Sequence, residues 1–289
     1  MSSLQMKRDC TVCGTPAEHE PLYTVRGFAI VRCRSCGLAS TVLPEGFDPA
    51  AIYTEEYFQG GTSDGYADYA ASEPILRAEA ERALADLFRH GPREGKLVEV
   101  GCAYGYFLAE ASKHFDATGI EICEAAASRA RAQGLSVDVG AVTAAWLADK
   151  GPVDAVAMLD VIEHLPNPAQ TLALLRDRMR PGGALVLSTG DWGSLLARVM
   201  GGAWRLLTPP QHLYFFSVRT LTKLLARCGL VVVDVTHPAK LVPVGLALFQ
   251  LARYAGPLAP PLQSMARRSP RIALPVNLLD AVRVVATRR

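Results

Sequence analysis

Four of the seven cysteines stand in two C-x-x-C pairs, Cys10/Cys13 in "CTVCG" and Cys33/Cys36 in "CRSCG", each followed at once by glycine. A two-residue spacing folds into a tight knuckle that aims both thiolates at one point. Two knuckles supply the tetrahedral set that zinc takes, the pattern of a zinc ribbon. Four thiolates leave no open coordination position, so zinc held there is structural, and it would be what folds so small a unit. A redox pair and a chance spacing are the competing readings. Cys102, Cys123 and Cys228 are scattered and read as ordinary buried cysteines.

The second chemical signal is "LVEVGCAYGYFLAEA", Leu97 to Ala111. An apolar strand runs into a glycine turn and then a helix, and glycine lets backbone approach a ligand closely. Gly101 and Gly105 mark the turn, and no Lys-Ser/Thr follows them, so it is not a phosphate-cradling P-loop. Glu99 is an acid inside an apolar strand, costly there without a partner. About 20 residues beyond the turn, the next strand, "ATGIEI", places Glu121 where one carboxylate can accept from both hydroxyls of a ribose. The pattern points to a nucleoside ligand with no essential phosphate.

Two histidines are placed for proton transfer. His164 lies in "DVIEHL", just after an apolar strand ending near Asp160. His212 lies in "TPPQHLYFFS", between a proline-stiffened approach and an aromatic run that can anchor the loop. Imidazole titrates near neutrality and suits a general base, whereas the plain alternative is a hydrogen bond that fixes the loop.

The elements that must position these groups alternate along the chain. Strands are expected at 96–101, 117–122, 135–140, 153–159, 184–189 and 230–235. Helices are expected at 73–90, 106–115, 124–134 and 218–229, with another after Asn167 and Pro168 as N-cap and first helical residue. Continuous apolar strands separated by amphipathic helices predict a parallel sheet covered on both faces, with ligands at the carboxyl ends of its strands. The 289 residues divide into a ribbon over 1–52, a linker and helix over 53–95, and an α/β domain over 96–289. The linker "YTEEYFQGGTSDGYADYAA" is either a connector or a lid whose tyrosines cover a ligand.

Taken together and in order, "VEVGCAYGYF", "GIEI", "AMLDVIEHLPNP" and "MRPGGALVLST" resemble the class I S-adenosylmethionine-dependent methyltransferases. The resemblance covers about Lys96 to His237. It implies a Rossmann-like sheet of seven strands with a reversed last hairpin. It also implies that Gly101 and Gly105 line the methionine and ribose of S-adenosyl-L-methionine, and that Glu121 holds the ribose hydroxyls. Glu99 would help fix the cofactor's amino group through the loop or water, and Asp160 would lie beside the cofactor. The N-terminal cysteine pairs with "IYTEEYF" resemble a bacterial subgroup found in sugar, polysaccharide and natural-product pathways, and the closing "LPVNLLDAVRVVATRR" resembles that subgroup's final strand, which makes residues 238–275 an insertion before it. The run Asp160-x-x-Glu163-His164 resembles the E-x-x-E-H run that holds a divalent metal in some ubiquinone-pathway O-methyltransferases, with aspartate in place of the first glutamate. Capping of the next helix is the plainer role for Glu163 and His164.

These observations predict methyl transfer to a small-molecule or carbohydrate acceptor at oxygen or carbon, with His212 or His164 as the base. A ribosomal-RNA methyltransferase and a non-catalytic cofactor-binding scaffold are the alternatives. The Asn-Pro-Pro-Tyr run of many nucleic-acid amino methylases is absent, and the ribbon lacks a dense basic and aromatic surface, so a nucleic-acid partner is disfavoured. The stretch from Trp192 to Trp204 is either a cover for the acceptor or a core-packing helix. From Lys240 onward, eight Lys/Arg face a single acid, Asp280. The apolar, proline-broken insertion at 238–275 suits peripheral contact with a membrane, a lipid-linked or nucleotide-linked acceptor, or a dimer contact. The first ten residues carry no apolar signal segment and the longest apolar stretch, 241–252, is too short to span a bilayer, so a cytoplasmic protein is expected.

Overall fold

The first chain reversal is written in "VRGF": Arg26 and Gly27 both take left-handed backbone (φ 52° and 82°). That is the geometry of a tight hairpin turn matching the strand twist. It joins β2 (Pro16–Val25) to β3 (Phe28–Cys33), with Val25 opposite Phe28. β1 (Met6–Asp9) pairs with β2, and β4 (Ala39–Val42) with β3. The two cysteine knuckles are the β1–β2 and β3–β4 turns. This computed structural model describes residues 6–59, 69–244, 248, 252, 256–268 and 273–289. Part of the tyrosine-rich linker (60–68) and parts of the 238–275 insertion lie outside the described residues.

Beyond the ribbon come α1 (Glu55–Gln59), α2 (Glu73–His90), β5 (Gly95–Val100), α3 (Tyr106–Ala111), β6 (Phe115–Glu121), α4 (Glu124–Ala132) and β7 (Val137–Val139). The chain continues through α5 (Ala144–Lys150), β8 (Val153–Leu159), α6 (Pro168–Arg178), β9 (Met179–Gly190), α7 (Leu195–Met200), β10 (Tyr214–Phe215), α8 (Val218–Arg227) and β11 (Leu230–Thr236). A small antiparallel pair, β12 (Lys240–Pro243) with β13 (Ala273–Val276), brackets α9 (Ala259–Arg268), and β14 (Ala281–Arg288) closes the fold.

Seven strands form the main sheet in the order β11-β14-β9-β8-β5-β6-β7. β14 runs antiparallel to both neighbours, while β5 to β9 are mutually parallel. This is the Rossmann-like sheet with a reversed last hairpin that the sequence predicts. Local chemistry sets the boundaries. Asn167 caps α6, its side chain accepting from the Gln170 N–H at 3.2 Å, with Pro168 first in the helix. Ser217 and Thr220 form a reciprocal capping box at α8. α3 ends at Ala111, earlier than the sequence suggests, because His114 and Phe115 already turn toward β6. α5 carries too little apolar periodicity to be read in advance; Thr143 caps it through the Trp146 N–H.

The ribbon is not a free appendage. β10 pairs antiparallel with the outer edge of β4, Tyr214 opposite Ser40 and Phe215 opposite Ala39. The apolar face of α8 (Leu221, Leu224, Leu225) shares one core with Cys10, Val12, Cys33 and Leu38. Arg219 and Arg227 of α8 also donate to the Cys36 and Thr11 carbonyls of the knuckles. Among the described residues, no helix is long and apolar enough to cross a membrane.

One buried ion pair ties the long helix to the sheet: Asp86 of α2 accepts from Arg283 of β14 at 2.8 Å, and both are almost fully buried. Breaking such a pair from one side leaves an uncompensated buried charge and costs about 3–5 kcal/mol. Asp86→Ala should therefore lower the urea midpoint sharply, and adding Arg283→Met should recover much of the loss. A single variant with an unchanged midpoint would show that the pair contributes nothing.

Candidate active site

Strand order reverses between β5 and β8: the chain builds β6 and β7 on one side of β5, then returns to place β8 on the other. The loops after these two strands part there, which opens a crevice at the carboxyl edge. A cavity of about 680 Å³ fills it, lined among others by Gly101, Ala103, Glu121, Asp160, His164 and His212.

The turn after β5 is shaped by its hydrogen bonds. Gly101 and Cys102 both donate to the Ile120 carbonyl, at 2.8 and 3.3 Å. Gly101 has φ +72°, and a Cβ there would stand 2.6 Å from Val161 Cγ2, so only glycine fits. The Glu121 carboxylate accepts from the Ala103 N–H at 2.8 Å and the Cys123 N–H at 2.9 Å. It thereby holds the strained turn (Ala103 φ 48°) while facing the cavity. Burial raises the Glu121 carboxyl above its usual range, and the backbone N–H groups act against that shift. Asp160 also has positive φ (54°); its carboxylate accepts from Ser188 Oγ at 2.8 Å, and its N–H donates to the Ser188 carbonyl at 3.0 Å. A non-glycine residue held in this region stores strain, as residues at functional sites often do.

Two of the expected cofactor residues stand back from the cavity. Glu99 is 4 % exposed inside the sheet, and its Oε2 has no hydrogen-bond partner among the described residues. Burial, reinforced by the nearby Glu121, pushes the Glu99 carboxyl well above the carboxylate range. Gly105 starts α3 at φ +81°, with Leu135 Cδ1 2.4 Å from where its Cβ would be, so helix packing explains that glycine.

At the other end of the cavity the histidines meet. The His164 and His212 ring centroids are 4.7 Å apart. His212 Nδ1 lies 2.8 Å from the Leu206 carbonyl, and His164 Nδ1 lies 2.9 Å from the Gln211 carbonyl. A carbonyl can only accept, so each ring carries its proton on Nδ1 and keeps the Nε2 lone pair. Burial, then the adjacent His164, holds His212 down to about 3; burial likewise lowers His164. The Tyr53 hydroxyl approaches His164 Nδ1 at 2.8 Å, and Tyr53, Tyr57, Phe58 and Tyr69 wall the cavity, which places the described part of the linker over it.

One acidic and two imidazole groups come together here, but not the run read from the sequence. Glu163, His164 and His212 offer ligand atoms within 4.8 Å of one another. Asp160, expected alongside Glu163 and His164, is not in the set; Ser188 takes up its carboxylate. His212 joins because the ribbon holds its loop. Thr41 of β4 donates through Oγ1 to the His212 carbonyl (2.6 Å) and through N–H to the Leu213 carbonyl (2.9 Å), while the Leu213 N–H donates to the Glu163 carbonyl (2.8 Å). Sequence reasoning also missed Arg205, which lines the cavity and is held by Asp280 through bonds of 2.9 and 2.8 Å. The single acid of the basic tail is the only local signal for that pair, and nothing in the sequence tells which arginine it meets.

Cys10, Cys13, Cys33 and Cys36 converge, with Sγ–Sγ distances of 3.5 Å (Cys10–Cys36) and 3.8 Å (Cys13–Cys33). Thiolates about 2.3 Å from a tetrahedral ion lie roughly 3.8 Å apart, so the set has zinc dimensions. By themselves the sulfurs share protons: the Cys36 hydrogen bond pulls Cys10 down to about 4, and the same bond pushes Cys36 up. A cation is what lets all four ionise together.

A family model described as a methyltransferase domain matches residues 72–235. The chain is 33% identical over 108 residues to the ubiquinone biosynthesis O-methyltransferase of Pseudomonas aeruginosa (strain UCBPP-PA14), covering 35% of this chain and 47% of that protein. It is 31% identical over 174 residues to the protein of the same name from Dinoroseobacter shibae, covering 55% of this chain and 70% of that one. Against the first of these relatives, it spans just under half of their length. A solved magnesium protoporphyrin IX methyltransferase from Synechocystis PCC 6803 with bound SAH superposes with a TM-score of 0.50 at 16% identity, covering 81% of this chain and 94% of that one, a likeness of fold alone. Matched by that model over more than half of its length, the chain belongs to the methyltransferase-domain family.

Proposed function

We propose that the protein transfers the methyl group of S-adenosylmethionine to an oxygen of a small-molecule acceptor held at the histidine end of the cavity. The observation that carries this reading is one crevice with Gly101 and Glu121 at one end and two neutral histidines, each with an Nε2 lone pair, at the other. S-adenosylmethionine supplies an already activated methyl on a sulfonium, so the chain's task is alignment and proton removal. Glu121, pinned by two backbone N–H groups, accepts from the ribose hydroxyls, Gly101 lets the backbone lie against the cofactor, and Asp160 stands beside it. His212 Nε2 takes the acceptor's hydroxyl proton as the methyl moves, with the Leu206 carbonyl stabilising the imidazolium through Nδ1–H. Relatives named as O-methyltransferases support oxygen over carbon.

A second reading of the same cluster rests on Nδ1–H donation to backbone carbonyls by both rings, the arrangement that orients metal-binding histidines. Glu163, His164 and His212 would hold a divalent cation, which would polarise the acceptor oxygen. Turnover abolished by a chelator treatment that leaves the four-cysteine zinc in place, and restored by a divalent cation, would favour it; turnover indifferent to that treatment leaves His212 as the base. Structural zinc in the four-cysteine cluster belongs to both readings.

Glu121→Ala should weaken SAH binding by calorimetry, since losing hydrogen bonds to a charged group costs on the order of 1.5–3 kcal/mol; unchanged affinity would remove Glu121 from the site. His212→Ala should keep SAH affinity and lower turnover at least ~10²-fold. Because His212 is held neutral down to about 3, its basic form is already present at pH 5–8, and turnover of the wild type should show no acid-side fall near the ordinary histidine value of about 6.5. The same depressed value means the unfolded chain takes up the proton first, so stability contributed by neutral His212 is present above about pH 6.5 and is lost as the pH drops below it. Metal analysis of unchelated protein should find about one zinc per chain, and stripping it should lower turnover by releasing β4 from the His212 loop. Metal-free protein as purified would sink the ribbon.

A further inference from the structure

A second cleft, of about 660 Å³, lies between the ribbon hairpin and the α/β domain. Its lining combines three arginines from three elements, Arg32 of β3, Arg198 of α7 and Arg219 of α8, with the rings of Tyr23 and Trp192. The rings meet edge to face with centroids 6.3 Å apart. Tyr23 packs on Gly201 and Gly202, where a Cβ would stand 3.1 Å from its hydroxyl oxygen and from its ring, respectively. Two of the arginines have partners: Arg32 bonds Glu20, and Arg219 donates through one nitrogen to the Cys36 carbonyl at 3.3 Å. The Arg198 side chain has neither an ion pair nor a hydrogen bond among the described residues, and it stands exposed at the cleft.

The cleft is joined to the active-site cavity through the chain itself. Thr189 and Gly190 line the cavity, and the next three residues, Asp191, Trp192 and Gly193, line the cleft. The one acid among the lining residues, Asp191, is buried and engaged: its carboxylate accepts from the Gly193 N–H at 2.8 Å and meets His237 Nε2 at 3.1 Å. Guanidinium groups match phosphate oxygens in bidentate fashion, and fixed aromatic rings offer a planar group an apolar face.

We infer that this cleft binds a nucleoside diphosphate, the diphosphate on Arg198 and Arg219 and the base against Tyr23 and Trp192, so that the acceptor is nucleotide-linked, with its reacting hydroxyl entering the cavity on the other side of Gly190. This rests on the methyl-transfer reading for its purpose but not for its binding chemistry. The test is calorimetry of the full chain with UDP, with inorganic pyrophosphate and, separately, with SAH. UDP should bind, more tightly than pyrophosphate, and more weakly as salt rises. It should bind equally well in the presence of saturating SAH. Arg198→Glu should weaken UDP at least ~10-fold, as loss of a charge-assisted bond implies, while leaving the melting temperature and SAH affinity unchanged; Arg198→Ala gives the same direction should the charge reversal perturb folding. Absence of UDP binding, displacement of UDP by SAH, pyrophosphate binding as tight as UDP, or indifference to both Arg198 variants would each overturn the proposal. UDP binding without SAH binding would instead sink the methyl-transfer reading and leave the cleft standing.

Discussion

The reversal of strand order between β5 and β8 is the constraint on which the site depends. Parallel strands buried on both faces leave only their carboxyl ends open, and only where neighbouring crossovers diverge is there room for a ligand. Four groups that face the cavity are there because a strand stops at that edge: Gly101 after β5, Glu121 at the end of β6, Asp160 after β8, Gly190 at the end of β9. The close approach of β5 and β8 also explains Gly101, because Val161 occupies the space a side chain would need.

The ribbon makes the second half of the site. Its outer strand pairs with β10, and Thr41 fixes the carbonyls of His212 and Leu213, so a module about 170 residues away in sequence sets the position of an imidazole. A small sheet with little core of its own is a weak platform unless something rigid closes it. The α8 side chains packed on its base brace it, and a metal held by the four cysteines, as proposed, would add to that rigidity.

Charge in the interior is either paired or removed. Asp280 and Arg205 neutralise each other beside the cavity, with the Trp204 indole N–H as a third partner of the carboxylate. Asp86 and Arg283 do the same between helix and sheet. Glu99 has no cationic partner among the described residues and is pushed toward its neutral form, which removes the charge. The histidines follow the same logic: enclosure keeps them neutral, and a neutral imidazole with a free Nε2 is the form able to accept a proton or a cation.

What the sequence determined by itself is what local chemistry controls. The cysteine knuckles, the glycine turn, the Asn167–Pro168 start of α6 and the apolar strands of the sheet are legible because each rests on spacing or on one residue's backbone preference. Gly101 and Glu121 were readable for the same reason, since a strand–turn–helix pattern places both at one edge. What only the tertiary structure decided are the meetings of distant segments: His212 with Glu163 and His164 in place of Asp160, Thr41 with the His212 carbonyl, Arg205 with Asp280, Arg198 with the rings of Tyr23 and Trp192. No local periodicity encodes these pairs, because each depends on which surfaces β4, β9 and α8 present once they are packed. The roles of Glu99 and Gly105 were obscured for the converse reason. A motif fixes residue types along the chain, whereas a side chain's direction into the sheet or into the cavity is fixed by the strands on either side of it.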